Sequence, residues 1–163
     1  MNKPKICCPV CTMTGMTNPL KFTFEGIHYF FCSSQCISRF RAHPHLYVGN
    51  PQFGKSVKQK HLQILKKRRI YLNETIGEEL KKIMNESLIA LMGVKEISIN
   101  NQELFVTYDL LEVSLDSIEK NIENSAANLR KTLFDSIKRG IIHYSEDCEL
   151  ENLAHLSKEG KCH

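Results

Sequence analysis

The sequence has no long hydrophobic run. No stretch of roughly 18 consecutive apolar residues occurs, which excludes a helix hydrophobic enough to span a membrane. The first residues, MNKPKICCPV, lack the apolar segment of a secretory signal peptide. We therefore expect a soluble cytoplasmic protein, in which thiols stay reduced and clustered cysteines bind metal or carry out redox chemistry.

Recognisable catalytic motifs are also missing. The chain contains no glycine-rich phosphate loop, no nucleophile elbow, no His-x-x-x-His motif and no convincing pair of catalytic carboxylates. The acidic residues of the second half fall mainly on the polar faces of predicted helices, where solvated charge is common. We expect a protein that is not an enzyme.

Acidic residues are scarce in the first part of the chain. Residues 1–72 contain 12 lysines and arginines but a single acid, Glu25, for a net charge of +11, whereas the remainder has 10 basic and 17 acidic residues, for −7. Such asymmetry predicts two modules with different tasks. It permits a nucleic-acid or acidic-protein partner for the basic half, or attraction between the two halves.

Cysteine, by contrast, is concentrated near the start. Cys8-x2-Cys11 is a turn that aims two sulfurs at one point, and Cys32-x3-Cys36 at a helix start places two more sulfurs one turn apart. Four thiolates in a tetrahedral set favour zinc, and sulfur ligands also suit Cu(I). The spacing predicts one metal site with these four ligands.

Further thiols surround this predicted site in the sequence. Cys7 is either a bystander, an alternative ligand, or an accessible thiol through which a metal ion could be exchanged. Cys148, in an acidic SEDCE context, and the pair Cys162 and His163 are additional candidate ligands. Core packing and solvent exposure account better than metal ligation for the nearby residues Met13, Met16, His28, His43 and His45.

The pattern of elements divides the chain into four segments. In the first, a hairpin turns at Gly26 and a short helix stops at Pro44, in a segment too small to fold without a staple. The predicted segments are a metal finger over 1–48, a basic linker with a connecting helix over 49–69, a second domain over 70–145 and a polar tail over 146–163.

The second domain has the element order β-α-β-β-α-β, which is that of ferredoxin-like folds. The predicted fold class is therefore α+β, with a small zinc finger followed by a ferredoxin-like domain. The predicted elements are a strand over 69–72, a helix capped by Thr75-x-x-Glu78, strands over 94–99 and 104–108, a helix after Ser114 that could break near 124–125 and end at Gly140, and a strand over 141–144.

A run of cations between the two domains supports alternative functions. These side chains could neutralise phosphates in a nucleic-acid-binding module, although few aromatic residues of the finger accompany basic ones for base stacking. A protein-interaction module with a purely structural zinc is a further alternative, with a strand edge available for docking or for a homodimer. The run consists of Lys55, Lys58, Lys60, Lys66, Lys67, Arg68 and Arg69.

Three stretches of the first domain resemble a known family. CPVCTM, EGIHYFFCSSQCISRF and HPHLYVG resemble the YHS/TRASH fingers, treble-clef modules found beside heavy-metal transport and sensing proteins. Phe40, Pro44 and Tyr47 occupy positions of that pattern, whereas Cys7 stands where the family usually has an aspartate. The resemblance implies a metal-binding treble-clef finger.

The second domain resembles the heavy-metal-associated (HMA) family. GVKEISI and ELFVTYDLLEVSLDSIEKNIE resemble strands and the second helix of that ferredoxin-like domain, but its Met-x-Cys-x-x-Cys metal loop is absent, and 73–77 stands in its place. The resemblance implies a fold and a docking surface without a second metal site. We expect a metal-binding accessory protein of copper or zinc handling, with a heavy-metal transporter or another protein as its candidate partner.

Overall fold

The chain folds into two compact units of mixed helix and strand, which confirms the α+β class. A computed structural model describes residues 6–52, 54–72, 75–100, 102–126 and 136–155. Of these described residues, one unit comprises those up to Leu62 together with those from Glu149 to His155, and the other comprises those between Gln63 and Cys148. The elements are β1 (Leu20–Phe24), β2 (Ile27–Phe31), α1 (Ser34–Ala42), β3 (Leu65–Tyr71), α2 (Glu78–Ile89), β4 (Val94–Ile99), β5 (Glu103–Asp109), α3 (Leu115–Ala126) and α4 (Ser136–His155).

The first unit begins with the predicted hairpin. β1 and β2 pair antiparallel, with Leu20 opposite Phe31 and Phe24 opposite Ile27. The two turn residues, Glu25 and Gly26, have φ of +48° and +78°. Positive φ at both central positions is the geometry of a two-residue turn whose twist matches that of the flanking strands. The predicted turn at Gly26 is therefore confirmed.

Helix α1 follows the hairpin and ends where the sequence predicts. Ser33 caps its start, because the Ser33 side chain accepts a hydrogen bond from the backbone N–H of Cys36 at 3.3 Å. The helix closes at His43, and Pro44 opens a short 3-10 turn, since proline disfavours helical geometry in the residue before it.

One phenylalanine organises the core of this unit. Phe40 of α1 is fully buried, and five aromatic rings have their centroids between 5.0 and 6.1 Å from its own. Cys36 lies one helical turn before Phe40, and Phe31 directly precedes Cys32. The elements that carry these cysteines therefore also carry the core. The surrounding rings are those of Phe22, Phe24, Tyr29, Phe31 and Tyr47.

The second unit is built on a three-stranded antiparallel sheet in the order β3-β5-β4. The register places Leu65 opposite Asp109 and Tyr71 opposite Glu103. Helix α2 packs against β4 and α3. The predicted elements from the first strand to the second helix thus occur in the predicted order. The buried side chains of the sheet are Ile70, Leu104, Val106, Tyr108 and Asp109.

The prediction of a connecting helix between Val57 and Arg69 is wrong. A short 3-10 turn, Lys58–Lys60, is followed by β3, which starts at Leu65 inside the predicted linker. Lysine, leucine and glutamine favour helix locally. Pairing with β5 along all seven residues, with burial of Ile70, outweighs that preference.

The predicted last strand, Ile141–Tyr144, is also wrong. These residues lie inside α4, and so does Gly140, which the sequence predicted as a helix end. Glu146 and Leu150 are buried four residues apart, as expected for one face of a helix. A glutamate at a buried position interrupts the apolar pattern, so the sequence did not show the helical period.

Two further predictions concern regions at the ends of helices. The tail predicted to be loosely ordered from residue 146 is helical as far as His155, and 156–163 lie outside the described residues. Residues 124–125, where a break in the second long helix was predicted, are helical within α3, which extends to Ala126, and 127–135 lie outside the described residues. No helix in the described part of the chain is both long enough and apolar enough to cross a membrane.

The capping box predicted at the start of α2 is absent. The helix begins at Glu78. Gly77, which precedes it, has an extended backbone, and no side chain caps the helix start. Glu78 is therefore the first helical residue, not the third, and cannot reach back as a capping box requires. Ile76 is buried just before this start, whereas Thr75 is exposed.

Gly93, between α2 and β4, is a position where we expect a large effect of a single methyl group. Its φ is +94°, and an added Cβ would lie 2.7 Å from the Cβ of Glu112 and 3.2 Å from the backbone nitrogen of Val113. Gly93→Ala should lower the free energy of unfolding by about 2 kcal/mol or more, measured by urea denaturation. Gly77→Ala, into open space, is the control, and equal losses in the two variants would contradict this explanation.

A buried carboxylate ties α4 to the rest of the second unit. Glu146 is 1% exposed, and its Oε1 accepts a hydrogen bond from the Tyr108 hydroxyl and lies 3.7 Å from Arg68 Nε. Its Oε2 accepts from the backbone N–H of Leu115 at 3.0 Å. Leu115 is the first residue of α3, where free amides and the helix dipole favour a negative charge. One side chain thus joins α4 to β3, β5 and α3.

The hydrogen bond between Tyr108 and Glu146 predicts a dependence of stability on alkaline pH. Burial, and next the hydrogen bond to Glu146, raise the pKa of Tyr108 well above its ordinary value of 10.0. Because the folded-state pKa is the higher one, this stabilisation is complete below pH 10 and is lost progressively above it. Tyr108→Phe should cost about 1–2 kcal/mol at neutral pH, and the difference from wild type should shrink by about 1.4 kcal/mol per unit above pH 10.

Urea unfolding of both proteins at neutral pH and at about pH 11 measures this difference. Taking the difference between the two proteins removes the contribution of the lysines, which titrate in both. A gap that stays constant across the two pH values would show that the phenol of Tyr108 does not remain protonated in the folded state.

Candidate metal centre

The first pair of cysteines lies on a tight loop before the hairpin. The backbone N–H of Cys8 donates to the Met13 carbonyl at 2.9 Å, and the N–H of Thr12 donates to the Cys8 carbonyl at 2.9 Å. Thr12 has a left-handed φ of +62°, which lets the chain reverse directly after Cys11. This loop brings both sulfurs of the Cys8-x2-Cys11 pair to one side.

The second pair joins the end of β2 to the first turn of α1. Cys32 follows β2 directly, and Cys36 lies one helical turn later, with its N–H bonded to the Ser33 cap. The sulfurs of Cys32 and Cys36 are 3.3 Å apart. Ser33 was not among the predicted site residues, although a serine directly before a predicted helix is a recognisable cap signal.

The four predicted ligands converge in the structure. The sulfur atoms of Cys8, Cys11, Cys32 and Cys36 all lie within 4.8 Å of one another, and those of Cys11 and Cys32 are 3.3 Å apart. A tetrahedral shell with metal–sulfur bonds of about 2.3 Å places its sulfurs roughly 3.8 Å from one another. The observed separations span that value, so the four cysteines can hold a metal ion.

Protonation of the four thiols depends on their mutual contacts. The hydrogen bond with Cys36 lowers the pKa of Cys8 to about 4, and the same bond, with burial, raises the pKa of Cys36. Burial raises the pKa of Cys11 to about 12. The sulfurs by themselves thus favour one thiolate among thiols, since several negative charges this close repel one another. A bound cation compensates those charges, so metal binding releases protons and weakens on acidification.

The other candidate ligands lie outside this group. The four-cysteine cluster found among the described residues includes neither Cys7, which is exposed, nor Cys148, which is half-buried in α4. Cys162 and His163 lie outside the described residues. Met13 is exposed, and the exposed His28 bonds to the Thr23 hydroxyl at 2.9 Å.

The predicted basic run does not form one helical face, because the helix that was to carry it is absent. Within β3 the cations alternate between the two faces of the sheet, as strand geometry requires. Lys67 and Arg69 are exposed on one face, whereas Lys66 and Arg68 are half-buried on the other. Before β3, Lys55 and Lys60 are exposed and Lys58 is half-buried.

The first unit is therefore a small finger of hairpin and helix with a four-cysteine cluster able to bind a metal ion. The family model of the YHS domain matches residues 6–50, a range that contains the hairpin, α1 and all four cysteines. No curated protein and no solved structure matches the chain. The family match lies wholly within the first unit, and the likeness of the second unit to HMA domains stays a prediction.

Proposed function

We propose that this protein is a metal-binding accessory protein of heavy-metal handling, whose finger holds one zinc ion. The observation that carries the proposal is the convergence of four cysteine sulfurs from two sequence-distant pairs. The YHS match over the same residues supports an association with metals. The role of the chain is one of binding and docking, without catalysis.

Zinc is the favoured ion because the donor set is closed. Four thiolates complete a tetrahedral shell and leave no open position, which is typical of structural zinc sites. Cys8 and Cys36 are fully buried, so these two ligands would release the ion only when the fold around them opens. Cu(I) is the second candidate, since it also prefers sulfur.

Exchange of the metal would take place on the more open side of the cluster. Cys11 and Cys32 are half-buried, and the exposed Cys7 lies next to the ligand Cys8 in the chain. A thiolate that attacks the ion from outside could enter there. In this proposal, the role of Cys7 distinguishes two alternatives: a protein that passes its metal ion on, and a finger whose ion does not exchange.

The second unit would be a ferredoxin-like, HMA-like domain without its own metal loop. The sheet order β3-β5-β4 and the placement of α2 and α3 between and after the strands support this assignment. In place of the fourth strand of such folds the chain has α4. Lacking cysteine in the loop before α2, this unit would serve to dock a protein such as a heavy-metal transporter.

Titration of the purified full chain with Zn(II) and Cu(I) against competing chelators tests the proposal. We expect one tightly held zinc ion per chain, lost in Cys11→Ser and retained in Cys7→Ser. A wild-type chain without stoichiometric metal, or a Cys11→Ser variant that holds zinc as tightly as wild type, would overturn it.

Metal transfer to an acceptor chelator distinguishes cargo from structure. If the ion is cargo, its transfer should be fast and should slow in Cys7→Ser while the affinity stays unchanged. A single zinc ion that does not exchange, together with no Cu(I) uptake, would rule out the carrier role and leave the finger as a structural module.

A further inference from the structure

The sheet of the second unit has a face turned away from its helices. Tyr108 of β5 points to the face where Glu146 of α4 packs. Because side chains alternate along a strand, Phe105 and Thr107 of β5 point to the opposite face. On β3 the same alternation places Leu65, Lys67, Arg69 and Tyr71 on this opposite face. We call it the outer face.

The outer face is accessible where its rings and cations lie. Tyr71 is 50% exposed and the Arg69 side chain 52% exposed, while Phe105, in the central strand, is half-buried. Lys67, two residues before Arg69 on β3, is also exposed. A tyrosine and a phenylalanine on neighbouring strands therefore both present part of a ring to solvent.

The register fixes how these side chains lie together. Arg69 is directly opposite Phe105, and Lys67 is directly opposite Thr107. The Arg69 guanidinium lies over the Tyr71 ring at 4.8 Å from its centroid. Opposite and diagonal neighbours in an antiparallel sheet are about 5–8 Å apart. Two rings with a planar cation between them thus form one continuous patch.

We propose that the outer face binds single-stranded nucleic acid, with bases stacking on Tyr71 and Phe105 and with Lys67 and Arg69 contacting the phosphates. Bases offer flat π-faces that stack on exposed aromatic rings, and a guanidinium can both stack and pair with phosphate. A duplex hides those faces, so the single strand is the matching form. Of the four cations in the segment 63–72, Lys67 and Arg69 lie on the outer face, and their charge complements a polyanion better than an apolar protein surface.

Two carboxylates limit the strength of this binding. Glu103 lies 3.7 Å from the Arg69 guanidinium, and Glu96 of β4, opposite Thr107, shares the outer face. Both repel phosphate, and Glu103 competes with it for Arg69. We therefore expect micromolar affinity, and we expect that removing the charge of Glu103 strengthens binding.

Fluorescence anisotropy of labelled single-stranded oligouridylate and oligothymidylate with the full chain, at about 50 mM salt, measures the interaction. Tyr71→Ala and Phe105→Leu should each weaken binding about tenfold, since each removes one stacked base. Arg69→Gln should also lower the salt dependence by about one counterion. Glu103→Gln should tighten binding severalfold.

Two controls test the location of the site. Tyr144→Ala, an exposed ring on α4, and Lys120→Gln, an exposed cation on α3, should bind as wild type does. The proposal is overturned if no saturation occurs up to about 100 μM protein, if a duplex binds as tightly as the single strand, or if the controls weaken binding as much as Tyr71→Ala. Phe105→Leu keeps an apolar side chain in the half-buried position, and thermal unfolding of each variant shows whether its fold is intact.

Discussion

Cys36→Ser is expected to abolish tight metal binding and to unfold the finger. Cys36 is fully buried and its sulfur lies within 4.8 Å of those of the other three cysteines. A serine hydroxyl does not ionise at neutral pH and is a poor ligand for a soft metal site. Because binding of structural zinc contributes on the order of 10 kcal/mol to the folding of a small finger, little else in this unit can compensate for the loss.

Zinc content after dialysis and amide hydrogen exchange over residues 6–50 measure this effect. The matched control is Cys7→Ser, which changes the exposed neighbour of a ligand and should retain both the metal and the protection from exchange. If Cys36→Ser keeps its zinc and its slow exchange, or if Cys7→Ser loses them equally, the assignment of ligands is wrong.

Phe40→Ala should lower the stability of the finger by about 3–5 kcal/mol. Phe40 is the ring around which five others pack, and removing a fully buried phenylalanine leaves a cavity in addition to the lost burial. It also lies one helical turn from Cys36. Since folding and metal binding of such a unit are one equilibrium, the apparent zinc affinity should fall by roughly 100-fold or more.

Competition with a zinc chelator measures this affinity without any change to a ligand. Ile27→Ala is the control, because Ile27 lies on the same hairpin system but is 56% exposed. An unchanged zinc affinity in Phe40→Ala would mean that the cysteines are held in place independently of the aromatic core, and that the two are not coupled as we infer.

The cysteine cluster could be predicted from the sequence because its geometry is local. A C-x2-C turn and a C-x3-C helix start each position two sulfurs within a few residues. Gly26 marks the turn of the hairpin between the two pairs, and Pro44 marks the end of the helix that carries the second pair. Only the convergence of the two pairs needs tertiary structure. The metal identity could not be predicted, because zinc and Cu(I) both accept thiolates.

The first half of strand β3 and the part of helix α4 beyond Gly140 could not be predicted because their signals are tertiary. The residues from Lys66 to Arg69 favour helix by themselves, and their extended form depends on β5, about 40 residues later in the chain. The isoleucines of α4 are typical of a strand. The buried face of α4 contains Glu146 as well as Leu150, and a glutamate there conceals the helical pattern. A buried glutamate is explicable only once Tyr108 and Leu115 are known to face it.

The position of Glu146 also has a consequence for how the second unit forms during synthesis. The side chain joins residues of β3, β5 and α3 that precede it by up to 78 positions, as the numbering of Arg68 and Glu146 gives. A nascent chain that has made the sheet but not yet α4 leaves the Tyr108 hydroxyl and the first amide of α3 without this acceptor. The unit therefore completes its folding only after residue 146 has left the ribosome, and contacts this distant in sequence form slowly.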